Sequence, residues 1–460
     1  MSAVDVSVSG PSAGVASAEG RESIDLGRGQ LRVLVAYACK VFGLRKRLEA
    51  VRDRRQDPTI STYVVAASIF FCGLLRIRSL NALEPRLREK PFIRLVGASG
   101  RRAALSLGSA DTLSRGLRKM DLATVRALSV DIVAKAERNK VFREGWHGGL
   151  HAFAIDGWEP ISSFNRHCDR CLIRHVKVEC GGEVVEVEQY YHRYVVAMLI
   201  DERFDMALDI EPLLPHDLRP HGAAKNGEDE GELTAATRLL RRVKQTFGWL
   251  ELVVADGLYP NGPFLTAVKQ LRLSAVIIVK KNGDEPLREA LALWGDQPPL
   301  EVVGDKKARE RIELWDCRDI TTLATYNGPI RVVRARITAE EPKRTARTWC
   351  MVVTGVAAAR LSPLQVLKIA RGRWHIENTG FHQWTTRWRF THLFVHDATG
   401  ILALYWLFFA AFNLLTLFLY RQVRCYGRDR GKDVTRTISR FVDQLLDDLA
   451  RLDRSPWDSS

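Results

Sequence analysis

His151-Ala152-Phe153-Ala154-Ile155-Asp156-Gly157 is an apolar run closed by an acid and a glycine. A second run of the same kind, Leu250-Glu251-Leu252-Val253-Val254-Ala255-Asp256-Gly257, follows 100 positions later. Short apolar runs bounded by turn residues read as buried strands. A glycine after the acid allows the backbone to turn. A third acid, Glu377, sits in Arg373-Trp374-His375-Ile376-Glu377, inside a stretch with helical character. Acids at strand ends supply the hard oxygen ligands that Mg²⁺ takes, with positions left for water and phosphate. Two such ions can clamp the attacking and leaving oxygens of an in-line phosphoryl displacement.

Working outward, Ala152–Ile155, Tyr194–Ile200 and Met206–Ile210 read as strands, the last two joined by a short turn and hence antiparallel. Leu233, Ala236, Leu240, Val243 and Phe247 fall on one helical face. A strand ending at Asp256, a short helix around Phe264–Leu271 and a strand at Ala275–Val279 complete the series. Three strands, helix, strand, helix, strand is the order of a ribonuclease H-like mixed sheet, in the α/β class. By analogy with that fold, the first and fourth strands are neighbours, which brings Asp156 to Asp256. Glu301–Val303, Arg311–Trp315, Ile330–Ile337 and Thr348–Val353 then alternate like strands, and helical signals resume at Pro363. A β-rich insert therefore separates the fifth strand from the helix of Glu377.

The chain has 460 residues, 46% hydrophobic, enough for a large core and several domains. Its net charge of +15 and pI near 9.6 favour polyanionic partners, nucleic acid first and an anionic membrane surface second. Eight scattered cysteines do not make a disulfide framework and point to a reducing compartment. No basic-then-apolar leader opens the sequence. The composition of residues 1–22 predicts a disordered segment. Residues 23–145 read as helices: a run opens at Pro58 and Thr59, and Ser109 precedes a capped start whose one face carries Arg115 and Arg118. Arg45, Lys46, Arg47, Arg52, Arg54 and Arg55 form a second basic cluster. Such an all-helical region fits DNA docking, although a solvated helix face accounts for any single cluster almost as well. Ile401–Tyr420, interrupted only by Asn413 and Thr416, is long enough to span a bilayer. The α/β pattern elsewhere favours a buried core helix and no membrane. Arg421, Arg424, Arg428, Arg430 and Lys432 lead into an apolar stripe of Ile438, Phe441, Leu445, Leu449 and Leu452, suited to dimerisation or to packing on the chain's own core. These readings divide the chain into 1–22, 23–145, 146–282 (first part of the core), 283–355 (insert), 356–425 (second part) and 426–460.

With Ile155-Asp156-Gly157, Ala255-Asp256-Gly257 and Arg373-x3-Glu377 in this order, residues 105–425 resemble the DDE transposases of bacterial insertion sequences, in the group with a β-strand insert before the catalytic glutamate. The resemblance implies that Asp156, Asp256 and Glu377 hold two Mg²⁺ ions. It implies nicking at transposon ends, joining of the freed 3′ hydroxyl to target DNA, and a homodimer assembled on DNA in the cytoplasm, at the nucleoid. Arg373, Lys280, Lys281, Arg387, Arg115 and Arg118 are the expected DNA contacts; the alternative for Arg373 is an ion pair with Glu377 that steadies the helix, and for Lys280 and Lys281 a solvated strand end. Two positions depart from the group. Its helix signature has a tyrosine where Ala370 stands and a lysine where Trp384 stands. Arg387 and Arg389 lie near enough in sequence to substitute. The departures motivate an alternative, a transposase-derived protein that binds DNA without cleaving it.

Other constellations have their own chemistry. His167-Cys168-x2-Cys171-x3-His175, with Cys180 and His192 beyond, has zinc-like spacing within a loop spanning 160–192. Cys168, Cys171, His175 and His192 are the candidate ligands; unliganded thiols are the alternative. Glu159 is a candidate auxiliary ligand, or a surface acid. Trp315 in the insert is expected to pack in the core rather than to stack on an extruded base.

Overall fold

The computed structural model describes residues 29–98, 106–142, 148–201, 204–218, 229–279, 285–305, 309–339, 345–422 and 434–457. The segment 1–22, Lys280, Lys281 and the basic residues from Arg424 to Lys432 lie outside the described residues.

The N-terminal region is helical, as the sequence predicts. It comprises α1 (Gln30–Phe42), α2 (Leu44–Glu49), α3 (Thr62–Leu74), α4 (Leu80–Leu83), α5 (Lys90–Val96), α6 (Ala110–Arg118) and α7 (Leu122–Arg138). Local capping sets the starts. The Ser61, Ser109 and Asp121 side chains accept from the backbone N–H groups of Val64, Thr112 and Thr124. The run read from Pro58 therefore begins its helix at Thr62. α3 is buried on every side from Val64 to Leu74, which explains its lack of an amphipathic stripe.

The strands are β1 (Ala152–Ser163), β2 (Leu172–Cys180), β3 (Glu183–Ile200), β4 (Asp205–Pro212), β5 (Leu252–Ala255), β6 (Ser274–Val279), β7 (Glu301–Asp305), β8 (Glu310–Ile320), β9 (Ile330–Ala339) and β10 (Arg347–Thr354). α8 (Glu232–Thr246) precedes β5, α9 (Gly262–Gln270) follows it, and α10 (Glu285–Trp294) opens the insert. Neighbours run β4-β3-β1-β5-β6, with β3 antiparallel to β1 and β4, and β1, β5 and β6 mutually parallel. This order is consistent with a ribonuclease H-like core. The insert is no separate layer: β10 pairs antiparallel with β6, and β9, β8 and β7 extend the same sheet.

Two strand readings need correction. β1 does not end at Asp156 but continues to Ser163, paired to β3 across an irregularity between Trp158 and Ile161. Gly157 is thus not a turn residue. Its value is space, because a Cβ there would lie 2.2 Å from a Glu232 carboxylate oxygen. The stretch 160–192 is not mainly loop. β2 pairs with Glu183–Tyr191 to form a hairpin arm whose outer end is exposed on both faces, so no core-facing alternation marks it.

After β10 come α11 (Val356–Arg360), α12 (Pro363–Gly372), a π-helical turn (Ile376–Phe381), α13 (His382–Thr386), α14 (Ala398–Gln422) and α15 (Val434–Ala450). α14 contains the membrane-length run, and its apolar window is wholly buried within the protein. It packs against α1, α3, α6 and α7 on one side and β4 on the other, and so joins the helical region to the sheet. α15 turns the stripe of Ile438, Phe441, Leu445 and Leu449 inward and packs on α1 and α5. Of the two roles left open for that stripe, the structure displays packing on the chain's own core.

Asn413 breaks the apolar run for a local reason. Its Nδ2 donates to the Ala207 carbonyl at 2.8 Å and its Oδ1 accepts from the Ala207 N–H at 2.9 Å, where the β3–β4 register shifts. Asn413→Leu would make α14 more apolar yet strand both buried backbone groups. It should lower unfolding free energy by about 2–4 kcal/mol. Denaturant melting of the two proteins checks this; an unchanged or raised midpoint would contradict the buried-core role of α14.

Candidate metal centre

Asp156 and Asp256 reach one place through strand register. Ala152, Phe153 and Ala154 on β1 lie opposite Leu252, Val253 and Val254 on parallel β5. The same spacing continued for two residues sets the two acids level on adjacent strands. Asp256 follows the last residue of β5, and its Oδ1 accepts from the Leu258 N–H at 3.0 Å. The Asp156 Oδ1 accepts from the Gly157 N–H at 2.9 Å.

Glu377 arrives from the other side of the insert. A capping box between Ser362 and Gln365 starts α12, whose C-cap is Arg373. The chain then widens into the π turn that carries Glu377, a form of helix frequent at functional sites. Arg373 is 4% exposed and bridges two acids: Nη1 donates to Asp156 Oδ2 at 2.9 Å and Nη2 to Glu377 Oε1 at 2.6 Å. His375 Nδ1 lies 3.0 Å from Asp205 Oδ1 at the start of β4. A Cβ on Gly380 would lie 2.9 Å from the Met198 methyl on β3, so the turn passes close to that strand.

A fourth carboxylate escaped the sequence reading. Glu232, in the first turn of α8, accepts from Tyr259 Oη at 2.7 Å and from Arg193 Nη2 at 2.6 Å. Nothing in its local sequence distinguishes it from an ordinary acidic first-turn residue. Asp156 is pushed up to about 6 in all: burial raises it most, Arg373 pulls it down, and Asp256, Glu377 and Glu232 raise it. Asp156, Asp256, Glu377 and Glu232 thus lie close enough to feel one another's charge at a partly buried spot, a set of hard oxygen donors of the kind a divalent ion takes.

The other expected site residues fall as follows. Glu159 is held by two hydrogen bonds from Arg174, at 2.9 and 2.6 Å, as a structural ion pair. Arg115 and Arg118 are exposed on α6, Arg115 beside Asp111 at 3.0 Å, and Arg387 and Arg389 are exposed beyond α13. Arg373 points inward, so a phosphate contact there would require it to leave both acids. Ala370 and Trp384 are fully buried; Trp384 lies in an aromatic cluster with Trp158, Phe381, Phe390 and Phe409. Trp315 is half-buried against the core, with the Arg334 guanidinium over its ring.

Cys168, Cys171 and His192 do meet, but His175 does not join them. It is exposed on β2, 3.8 Å from Glu188, because alternation along β2 turns it away from the turn at Cys171. The fourth member is His396, between α13 and α14. The thiol hydrogen bond from Cys171, with a further one from His192, pulls Cys168 down to about 3, while that pairing and burial push Cys171 up.

Residues 206–414 match the family model of the Transposase DDE domain. The span runs from β4 into α14 and includes Asp256, Arg373 and Glu377, with Asp156 upstream on β1. The match supports a DDE transposase of the insertion-sequence type, a family whose function is transposition with DNA as partner. No curated protein matches the chain.

The raised value of Asp156 has a thermodynamic consequence. Because the folded protein holds this proton more tightly, the resulting stabilisation is complete below the ordinary value of 3.8 and is lost as pH rises through about 6. In metal-free protein, the stability of Asp156→Asn relative to wild type should rise by about 1–3 kcal/mol between pH 4 and pH 7 and stay flat above. Denaturant unfolding across that range measures the difference; a pH-independent gap would mean that Asp156 titrates normally.

Proposed function

We propose that this chain cleaves DNA strands at the ends of a mobile element and joins the freed 3′ hydroxyls to target DNA, with Asp156, Asp256 and Glu377 holding two Mg²⁺ ions. The observation that carries the reading is the convergence of three acids from β1, β5 and the π turn on one partly buried spot, with Glu232 beside them. When bound, the ions would polarise the scissile phosphate and lower the pKa of the attacking water or hydroxyl.

The protein's own residues orient these acids. Gly157 and Leu258 N–H groups fix one oxygen each on Asp156 and Asp256. Arg373 holds Asp156 and Glu377 in register and neutralises part of their charge before metal arrives. Tyr259 and Arg193 hold Glu232 at the edge of the site, where it adds negative potential. We assign phosphate contacts to the exposed Arg115, Arg118 and Arg387, to Lys280 and Lys281, and to Arg373 once it is released from the acids. Assembly as a homodimer on DNA at the nucleoid belongs to the same reading. The alternative, DNA binding without cleavage, rests on Ala370 and Trp384, whose buried positions serve packing rather than DNA contact.

A metal-dependent nicking assay on the element's ends separates the two. Asp156→Asn, Asp256→Asn and Glu377→Gln should each abolish nicking while end-binding persists. Nicking at near wild-type rate by any of them would remove that residue from the site, and a wild-type protein that binds ends without nicking would favour the alternative. Binding itself should weaken steeply with salt: about six phosphate contacts give a log–log slope near −5. A flat dependence would discard the electrostatic basis.

Arg373→Lys tests the bridge. An ammonium cannot donate two fixed bonds to two acids as a planar guanidinium does. The variant should fold and bind ends but nick at least roughly tenfold more slowly, a barrier rise of about 1.4 kcal/mol. Unchanged single-turnover kinetics would reduce Arg373 to a helix-steadying ion pair.

A further inference from the structure

A second cluster of ligating side chains lies away from the acids. Cys168 and Cys171 flank the turn before β2, His192 is on β3, and His396 lies in the connection from α13 to α14. The two sulfurs are 3.7 Å apart. His192 Nε2 is 3.4 Å from each, and His396 Nε2 is 3.3 Å from the Cys171 sulfur. All four ligating atoms lie within 4.8 Å of one another. Zinc binds thiolate at about 2.3 Å and imidazole at about 2.0–2.1 Å, so a tetrahedral ion spaces sulfurs by about 3.8 Å and sulfur from nitrogen by about 3.6 Å. The four distances lie within about 0.3 Å of those values.

The local backbone has the form that such ligands need. The Cys171 N–H donates to the Cys168 carbonyl at 3.2 Å, closing the turn, and the Cys168 N–H donates to the Cys171 sulfur at 3.3 Å. Cys171 and His192 are buried and Cys168 and His396 half-buried, so the centre is shielded with one side near solvent.

We propose that Cys168, Cys171, His192 and His396 bind one zinc ion that ties the turn before β2 and strand β3 to the segment between α13 and α14. Four protein ligands close the coordination sphere, which makes the ion structural rather than catalytic. Its position gives it a task. His192 is four residues along β3 from Val196, the partner of Asp156, about 13 Å at ~3.3 Å per residue. His396 stands between α13, which continues the turn of Glu377, and α14. The ion would therefore fasten the segment that follows Glu377 to the sheet that carries Asp156.

Metal content of the purified full-length protein, kept reduced, tests this without DNA or nicking activity, so its outcome is independent of the transposase reading. About one zinc per chain is expected. Cys168→Ser and His396→Gln should each lower zinc content at least tenfold, whereas His175→Ala should retain it. Co²⁺ in place of zinc should give the strong visible bands of a tetrahedral site with thiolate charge transfer, a readout that needs no variant to fold. Chelation should lower the melting temperature, and added Zn²⁺ but not Mg²⁺ should restore it. Absence of zinc from protein expressed and purified with zinc, full zinc retention in His396→Gln, or a Cys168–Cys171 disulfide in the reduced preparation would each overturn the proposal.

Discussion

Arg373 is the interaction on which the candidate site depends. Asp156 and Glu377 come from strands and turns separated by more than 200 positions, and like charges brought together in a half-buried place repel one another. One guanidinium, itself 4% exposed, satisfies an oxygen on each. Arginine suits the task because its planar fork carries two fixed donors and its charge persists at any physiological pH. The compensation is incomplete: burial, with Asp256, Glu377 and Glu232 nearby, keeps the Asp156 carboxyl above the usual carboxylate range despite the guanidinium.

The scaffold around that bridge is held by a second buried charge. Asp209 on β4 is fully buried, and burial alone would push its carboxyl up; Arg242 and Arg126 reverse this and hold it below the usual range. Arg126 belongs to α7, Arg242 to α8, and the Trp406 indole of α14 donates to the same carboxylate at 3.2 Å. A single acid thus fixes the helical region, the sheet and the central helix relative to one another. Removal of any one partner would leave a buried charge underpaired, which costs far more than an exposed ion pair contributes. The N-terminal helices thus stand in fixed register with the sheet that carries Asp156.

The sequence made the sheet legible because its central strands are buried on both faces and read as continuous apolar runs. Asp156 and Asp256 stood out as acids terminating such runs, and the register then carried the reading into three dimensions. β2 and the outer half of β3 gave no such signal, since a hairpin exposed on both faces lacks core-facing alternation. α14 was ambiguous for a physical reason: a helix surrounded by protein and one surrounded by lipid have the same composition. Glu232 and His396 were illegible because each joins its site only through the fold. His396 is 225 positions from Cys171, and no spacing rule reaches across that distance.

Trp384 shows how a departure at one position can be absorbed by packing. Where the resembling group has a lysine, this chain places an indole against Trp158 of β1, Phe381 of the π turn, Phe390, and Phe409 and Phe412 of α14. Trp158 is two residues from Asp156 on the same strand and stacks face to face on Phe381, four residues from Glu377. The aromatic cluster therefore joins the two elements that Arg373 joins by charge, one turn deeper in the core. Aromatic pairs contribute about 0.5–1.5 kcal/mol each beyond the area they bury. They are indifferent to salt, whereas a guanidinium–carboxylate bridge is weakened by it where solvent reaches the pair. The division of labour follows from that difference: packing fixes where Glu377 stands, and Arg373 governs the charge it presents.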